Sequence, residues 1–404
     1  MLHALRCGSM EAMPPPATLV SPTPGEVFAL IRDRRATTRG ELGRLTGLSR
    51  TAVTARVAAL EAGGLVIERD QASTGGRPAA QLMFNVDAGV VFSAAIGRSR
   101  TQLAVCNLDG TILASTDIDQ EPGIAPDDLL PDLVKRLDML LDESARRDAH
   151  IFGVGLSLPG TVDQRTGASL DSPNMSGWDG VPLAPYFTSL TDAPVVIDND
   201  ANAIAVAERR GGYGEYDDML VVKASTGLAA GIIMGGQLQR GAVQAAGEFG
   251  HSKTAAAAGV HCRCGDTGCL EAIAGGWALV RALQRDGRAV NHLRDVVALA
   301  HTGDPEARRM IRESGRHIGE VLAAAVNLLN PAVLVIAGDM VGAYDLFVAG
   351  LRETLYGNAT ALATRTLQIV PSIHRERSSM VGCATNVLDR VLSPDAVDAA
   401  MYGD

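Results

Sequence analysis

Cys262, Cys264 and Cys269 fall within eight residues, in the run Cys262-Arg263-Cys264-Gly265-Asp266-Thr267-Gly268-Cys269-Leu270-Glu271, and His251 stands eleven residues before the first of them. Three thiolates and one imidazole make the donor set of a closed tetrahedral Zn²⁺ site. Gly265 and Gly268 allow the short loop to turn back so that its sulfurs converge. The competing reading is three ordinary buried cysteines, since a free cysteine is often only a small hydrophobe. Half of the chain's six cysteines clustering around two turn glycines favours a structural zinc held by His251, Cys262, Cys264 and Cys269.

The same stretch, Ala246-Gly247-Glu248-Phe249-Gly250-His251 followed by Cys-x-Cys-Gly-x-x-Gly-Cys-x-Glu, resembles the signature of the ROK family of bacterial sugar kinases and sugar-responsive repressors. Further similar segments follow the family's order: Gly153 to Asp163 with Ser157, Pro159 and Gly160, then Ser172-Pro173-Asn174, then Asp198-Asn199-Asp200-Ala201-Asn202-Ala203. The resemblance spans roughly residues 88 to 390 and points to the regulator branch, with its xylose- and N-acetylglucosamine-type repressors. It implies an α/β, actin-like, RNase H-like domain of two lobes.

Within that resemblance Asp200 matches the catalytic base that accepts the proton of a sugar hydroxyl as it attacks a γ-phosphate. Asn199, Glu248, His251 and Glu271 match positions that hydrogen-bond sugar hydroxyls, with Gly160 and Asn174 at the pocket rim. Carboxylates, amides and imidazole suit a polyol, because they pair with hydroxyls that an apolar wall leaves unsatisfied. The competing readings, Asp200 as a helix N-cap and Glu248 as a surface acid, are the minor ones in isolation and lose further ground to the joint occurrence of these residues in register.

The phosphate loops depart from the kinase pattern. Where ROK kinases carry Asp-x-Gly-Gly-Thr, this chain has Ala95-Ile96-Gly97-Arg98-Ser99. A carboxylate that helps to organise Mg²⁺ is gone, and Arg98 stands where backbone must approach phosphate closely. The second loop reads Ser225-Thr226-Gly227-Leu228-Ala229-Ala230-Gly231, and the glycine run expected near the adenine reads Ala337-Gly338-Asp339. The expectation is a chain that is not an enzyme, with Asp200 kept as a vestigial base and ligand contact.

The elements that must position these residues can be read around them. The N-terminal 86 residues hold ten Arg against seven Asp or Glu, for +3, while the remainder carries −13 of the chain's −10. Between Arg32 and Arg56 seven Arg face two acids, a local footprint suited to a polyanion. Three short helices are predicted there: one from Pro24 with Val27, Phe28, Leu30 and Ile31; one capped by Thr38 and ending at Gly47; and one capped by Ser49, with Val53, Val57 and Leu60 facing inward. The face of the third opposite its apolar stripe is small, Thr51, Thr54, Ala55 and Ala58, flanked by Arg50 and Arg56. Such a helix fits a major groove while its arginines reach phosphates. Leu65 to Arg69 and Gln81 to Phe84 read as a two-stranded wing around Ser-x-Gly-Gly-Arg-Pro, whose Arg77 is expected in the adjacent minor groove by similarity to ROK repressors. The DNA contacts are thus Arg50, Thr51, Thr54, Arg56 and Arg77, in an α+β winged helix-turn-helix. A small helical module for protein interaction is the competing reading.

Of 404 residues, 47% are apolar and 20% charged, as in an ordinary globular protein of two or three domains. The expected division is a tail at 1–20, the winged helix at 21–86, a first lobe at 87–197 rejoined by a helix at 379–392, and a second lobe at 198–378. Strands are predicted at 90–96, 102–106, 111–115, 151–157 and 194–197 in the first lobe, and at 219–223, 231–234 and 332–336 in the second. The first residues lack a secretory pattern and the longest apolar stretch is broken by Asn327, Asn330 and Pro331, so a cytoplasmic chain without a membrane span is expected. The implied partners are operator DNA, a monosaccharide effector, and one or three further copies in a homodimer or homotetramer. A bifunctional sugar kinase with a DNA-binding domain, and a regulator answering to a protein partner, are the rival readings.

Overall fold

The structure, a computed structural model, describes residues 21–69, 80–170, 175 and 177–403. It divides into a small unit formed by the N-terminal residues up to Asn85 together with Pro394 onward, and a large unit, Val86–Ser393.

In the small unit α1 (Pro24–Arg32) and α2 (Arg39–Thr46) each begin with a capping box, Thr23 with Glu26 and Thr38 with Glu41, satisfying N–H groups that a helix start leaves unpaired. Gly47 takes the left-handed conformation that ends α2, and Ser49 Oγ caps α3 (Arg50–Ala62) at Ala52 N. Val27, Phe28, Ile31, Leu42, Val53, Val57 and Leu60 are all buried, so the periodic stripes read from sequence do meet. The antiparallel pair β1 (Val66–Arg69) and β2 (Gln81–Phe84) closes the unit, with Phe84 edge-on to Phe28 at 5.3 Å between ring centroids. The tip of the expected wing, including Arg77, lies outside the described residues.

The large unit has two lobes built on one plan. In the first, β3 (Gly89–Ile96), β4 (Arg100–Asn107) and β5 (Ile112–Asp119) form an antiparallel meander, and α4 (Pro126–Glu143) leads to β6 (His150–Leu158) beside β3. A hairpin, β7 (Thr161–Asp163) and β8 (Ala168–Leu170), precedes β9 (Val195–Asn199) and α5 (Asp200–Gly211). The sheet order is β5-β4-β3-β6-β9.

The second lobe repeats it with β10 (Met219–Ala224), β11 (Leu228–Met234) and β12 (Gln237–Leu238). After the cysteine loop come α6 (Glu271–Ala274), α7 (Gly276–Arg285), α8 (Leu293–His301) and α9 (Pro305–Leu329), then β13 (Val333–Ala337), α10 (Tyr344–Asn358), α11 (Ala361–Thr364) and β14 (Gln368–Pro371). Its order, β12-β11-β10-β13-β14, has the same pattern of three antiparallel strands followed by two parallel ones. This is the actin-like pair of lobes, each with its own apolar core.

Helix α12 (Ser378–Val391) returns to the first lobe and packs on β3, β6 and α5. The approach is so close that a Cβ at Gly155 would stand 2.0 Å from Cys383 O, and one at Gly382 would stand 2.3 Å from Ala203 O. The chain then re-enters the small unit as α13 (Pro394–Tyr402), which packs against α1.

Candidate functional site: a polar cavity beside a metal-binding loop

The cysteine loop is folded by its own backbone. Cys262 N donates to Asp266 O at 2.8 Å and Gly265 N to Cys262 O at 3.2 Å, while Gly265 and Gly268 take φ values of 93° and 82°, which only glycine adopts cheaply. One donor atom from each of His251, Cys262, Cys264 and Cys269 lies within 4.8 Å of the others. Cys264 Sγ and Cys269 Sγ are 3.7 Å apart, close to the edge of about 3.8 Å that a tetrahedron of Zn–S bonds near 2.3 Å requires. Cys262 Sγ and His251 Nδ1 are 3.8 Å apart. Burial pushes the Cys262 thiol up to about 12, so a thiolate there needs a cation beside it. Lys253 adds one more positive contact, with Nζ 3.2 Å from Cys269 Sγ. The four residues fit a structural Zn²⁺.

Against this loop lies a cavity of about 350 Å³, lined from both lobes. Asp200 reaches it because Asn199 at the end of β9 is the N-cap of α5. The Asn199 Oδ1 accepts from Ala201 N at 2.8 Å and Asn202 N at 3.2 Å, and its Nδ2 donates to Gly160 O at 2.8 Å. Of the residues expected to meet a sugar, Gly160, Asp200, Glu248, His251 and Glu271 all line the cavity. Asn199 is not among its lining; its amide is engaged in holding α5 and the Gly160 turn. Asn174 lies outside the described residues.

Three side chains that the sequence reading passed over change the chemistry of this wall. Lys223 Nζ is bonded to Asp200 Oδ2. Arg263 Nη2 and Trp277 Nε1 both donate to Glu271 Oε1 at 3.1 Å, while Leu228 N donates to Oε2 at 2.9 Å. Arg263 also lies over the Trp277 ring at 4.7 Å. Its burial pulls the guanidinium below its usual value, with Glu271 opposing the shift. Glu248 is pushed up to about 7, first by burial and then by the charges of Asp200 and Glu271. The available signal for Lys223 was a lone charge in the otherwise apolar strand Met219–Ala224; for Arg263 it was its place between two metal-binding cysteines.

In the small unit Arg50, Thr51, Thr54, Ala55 and Ala58 are exposed along one side of α3. Arg56 is placed differently: it donates to Pro22 O at 2.5 Å, to Ser21 Oγ at 3.1 Å and to Ala52 O at 3.2 Å, and so ties the start of the described chain to α3.

Residues 91–390 match the ROK family. The chain belongs to that family. Among its ROK relatives, the xylose repressor of Caldicellulosiruptor bescii is 28% identical, over 91% of this chain and 95% of its own length. The xylose repressor of Bacillus subtilis is 26% identical, over 88% and 91%. A crystal structure of a ROK family transcriptional regulator, a homologue of the E. coli MLC protein, superposes with a TM-score of 0.77 at 26% identity, covering 94% of this chain and 98% of that one. A ROK glucokinase from Streptomyces griseus, crystallised with glucose and AMPPNP, gives 0.63 at 28% identity and covers 73% of this chain.

Gly97, Arg98 and Ser99 turn β3 into β4, with Gly97 N donating to Arg100 O at 2.8 Å. Ser225 Oγ is bonded to Asp339 Oδ2. The first N–H groups of α7, on Gly276 and Trp277, are spent on Ser225 O at 2.9 Å and Thr226 O at 3.0 Å. No helix among the described residues is long and apolar enough to cross a membrane.

Proposed function

We propose that this ROK chain is a sugar-responsive transcriptional regulator. It acts in the cytoplasm as a homodimer or homotetramer, touches operator DNA through α3 and the wing, and binds a monosaccharide in the cavity of the large unit. The observation that carries this reading is the Lys223–Asp200 ion pair. One Asp200 oxygen accepts from the Lys223 ammonium and the other is left to a ligand hydroxyl, so Asp200 is held as a contact to the ligand. The Ser225–Asp339 bond and Arg98 support it from the nucleotide side, where a polyphosphate would meet an extra carboxylate and a side chain in place of glycine. Relatives that match the chain over about nine tenths of its length, small unit included, are xylose repressors.

The test measures ATP turnover and operator binding on the same full-length, zinc-loaded protein. The expected result is no phosphorylation of xylose, glucose or N-acetylglucosamine with Mg-ATP, together with a shift of operator affinity by one monosaccharide. Asp200→Asn weakens that shift and leaves sugar-free operator binding intact. Phosphorylation at enzyme-like rates, abolished by Asp200→Asn, overturns this reading in favour of a bifunctional kinase.

A further inference from the structure

The Glu271 carboxylate is held from three sides. Arg263 Nη2 and Trp277 Nε1 donate to its Oε1 at 3.1 Å, and Leu228 N donates to its Oε2 at 2.9 Å. Two glycines make room for it: a Cβ at Gly227 would stand 2.8 Å from Glu271 Oε2, and one at Gly275 would stand 2.7 Å from Glu271 Cγ. Glu271 is buried, yet it lines the cavity. A carboxylate has about four acceptor sites. Among the described residues two donors meet Oε1 and one meets Oε2, so a site on Oε2 is left for a ligand hydroxyl.

The three donors stand on different supports. Leu228 begins β11 and Trp277 lies in the first turn of α7, both regular elements with their own backbone bonds. Arg263 belongs to the cysteine loop, with Cys262 before it and Cys264 after it, both in the metal-binding set. The backbone bonds on either side of Arg263 also end on Cys262, from Cys262 N to Asp266 O and from Gly265 N to Cys262 O. A metal that grips both cysteines therefore fixes the Arg263 backbone, while the Trp277 ring, 4.7 Å from the guanidinium, fixes its side chain. Of the three donors to Glu271, Arg263 is the one that the loop supplies and the one that carries charge. A buried carboxylate that loses such a partner is left poorly compensated and gives up its place.

We propose that Arg263 is a positioning residue for the ligand: fixed between two metal-binding cysteines, it holds the Glu271 carboxylate where Oε2 meets a sugar hydroxyl, so that the metal loop sets sugar affinity through Glu271 as well as through His251. This rests on the sugar-sensing reading above and deepens it.

The experiment is a double-mutant cycle on full-length, zinc-loaded protein, read by calorimetric titration with xylose, glucose and N-acetylglucosamine. Arg263→Met should keep about one Zn²⁺ per chain and sugar-free operator binding. It should weaken binding of the sugar that the parent takes up by about tenfold, the size of a lost hydrogen bond to a charged group. Adding Glu271→Gln should then cost less than about twofold more, since both changes remove the same contact. Arg263→Lys should restore part of the affinity, because an ammonium still donates to Oε1. Should Arg263→Met lose zinc, Arg263→Gln, which keeps a polar side chain between the cysteines, repeats the cycle. Trp277 gives a readout free of sugar, because its indole is bonded to Glu271 and covered by Arg263. The other tryptophan, Trp178, is buried in the first-lobe core and supplies a constant background. Chelating the metal should shift the tryptophan emission of the parent, whereas Arg263→Met should start at the shifted position and respond far less. Unchanged sugar affinity in Arg263→Met, a loss that simply multiplies with that of Glu271→Gln, or an emission response to chelation equal to the parent's overturns this inference and leaves the sensor standing. If none of the three sugars binds the parent or moves its operator affinity, the sensor reading fails, and the emission measurement alone decides whether Arg263 links the loop to Glu271.

Discussion

Arg294 at the start of α8 donates through Nη2 to Asp119 Oδ2 at the end of β5, at 2.6 Å, and so joins the second lobe to the first beside the cavity that Arg294 lines. His292 stands 4.0 Å from the same carboxylate. The hydrogen bond from Arg294 holds the Asp119 carboxyl below the usual carboxylate range. With side chains 40% and 55% exposed, the pair is screened by water and contributes no more than about 1 kcal/mol to stability. Arg294→Ala should leave the melting temperature nearly unchanged while weakening effector binding by up to about fivefold, read by calorimetry beside thermal denaturation. Because the Asp119 value is lowered on folding, the pair's contribution is complete at neutral pH and is lost as acidification takes the carboxyl through its lowered folded-state value. An unchanged effector affinity in Arg294→Ala would assign the pair to the surface alone.

On α3 the structure separates two arginines that the sequence treats alike. Arg50 is exposed on the small-residue side of the helix, whereas Arg56 is bonded to Pro22, Ser21 and Ala52. Arg50→Ala should weaken binding to any DNA and lower the salt slope by about 1, the signature of a lost phosphate contact. Arg56→Ala should instead lower stability by about 1 to 2 kcal/mol and leave the salt slope alone. For Arg77, Arg77→Ala should cost on the order of 1 to 3 kcal/mol of operator binding, most at A·T-rich flanks. Salt titrations of operator affinity on the three variants check all of this.

What the sequence disclosed follows from how local each signal is. The two caps Thr38 and Ser49, the stripe Val53, Val57 and Leu60, and the cysteine spacing are short-range patterns, and each appears in the structure as read. The edge strand β14 escaped because Gln368–Pro371 is four residues long and ends in proline, and β5, read only to Ser115, continues to Asp119 because Ile118 still packs on the core while the polar residues around it hid the strand in sequence. Within the cavity, the family pattern located Asp200, Glu248, His251 and Glu271. It could not show that Lys223 and Arg263 pair with two of those carboxylates, because both pairs join residues from separate elements, Lys223 on β10 with Asp200 on α5 and Arg263 in the loop with Glu271 on α6. Asn199 shows a converse limit, because an N-cap and a sugar-binding amide are the same residue type at the same place before a helix, and sequence alone does not separate them.

Removal of the metal tests the loop. Cys264→Ser, or dialysis against a chelator, should take the protein from about one Zn²⁺ per chain to none and loosen the segment between Ser252 and Glu271, which is otherwise crossed by only a few backbone bonds, among them Leu270 N to Ser252 O, Thr254 N to Gly268 O and Gly268 N to Val260 O. His251 belongs to the metal set and also lines the cavity. Effector binding should therefore fall together with zinc content, while binding of operator DNA without sugar persists. Metal analysis and calorimetry on the same samples read both. Full effector affinity in metal-free protein would separate the loop from the cavity.

The C-terminal helix supplies a cap that α1 cannot make for itself. The Gly25 amide, in the first turn of α1, donates to Asp398 Oδ1 of α13 at 2.7 Å, placing a carboxylate at the positive end of the helix. The two segments touch so closely that a Cβ at Gly25 would lie 2.0 Å from Pro394 O, and one at Gly63 would lie 2.7 Å from Met401 Cε. Asp398→Ala should cost about 1 kcal/mol, as loss of a capping side chain does. Gly25→Val should cost more, because the backbone of Pro394 has to move. Ending the chain at Ser393 removes the carboxylate together with the buried Val397, so the small unit should melt at lower temperature and operator affinity should drop with it. Zinc content and effector binding belong to the large unit and should stay at their wild-type values. Calorimetric melting of full-length and shortened protein, paired with metal analysis, decides it: a shortened chain with an unshifted small-unit transition would reduce α13 to a passive end.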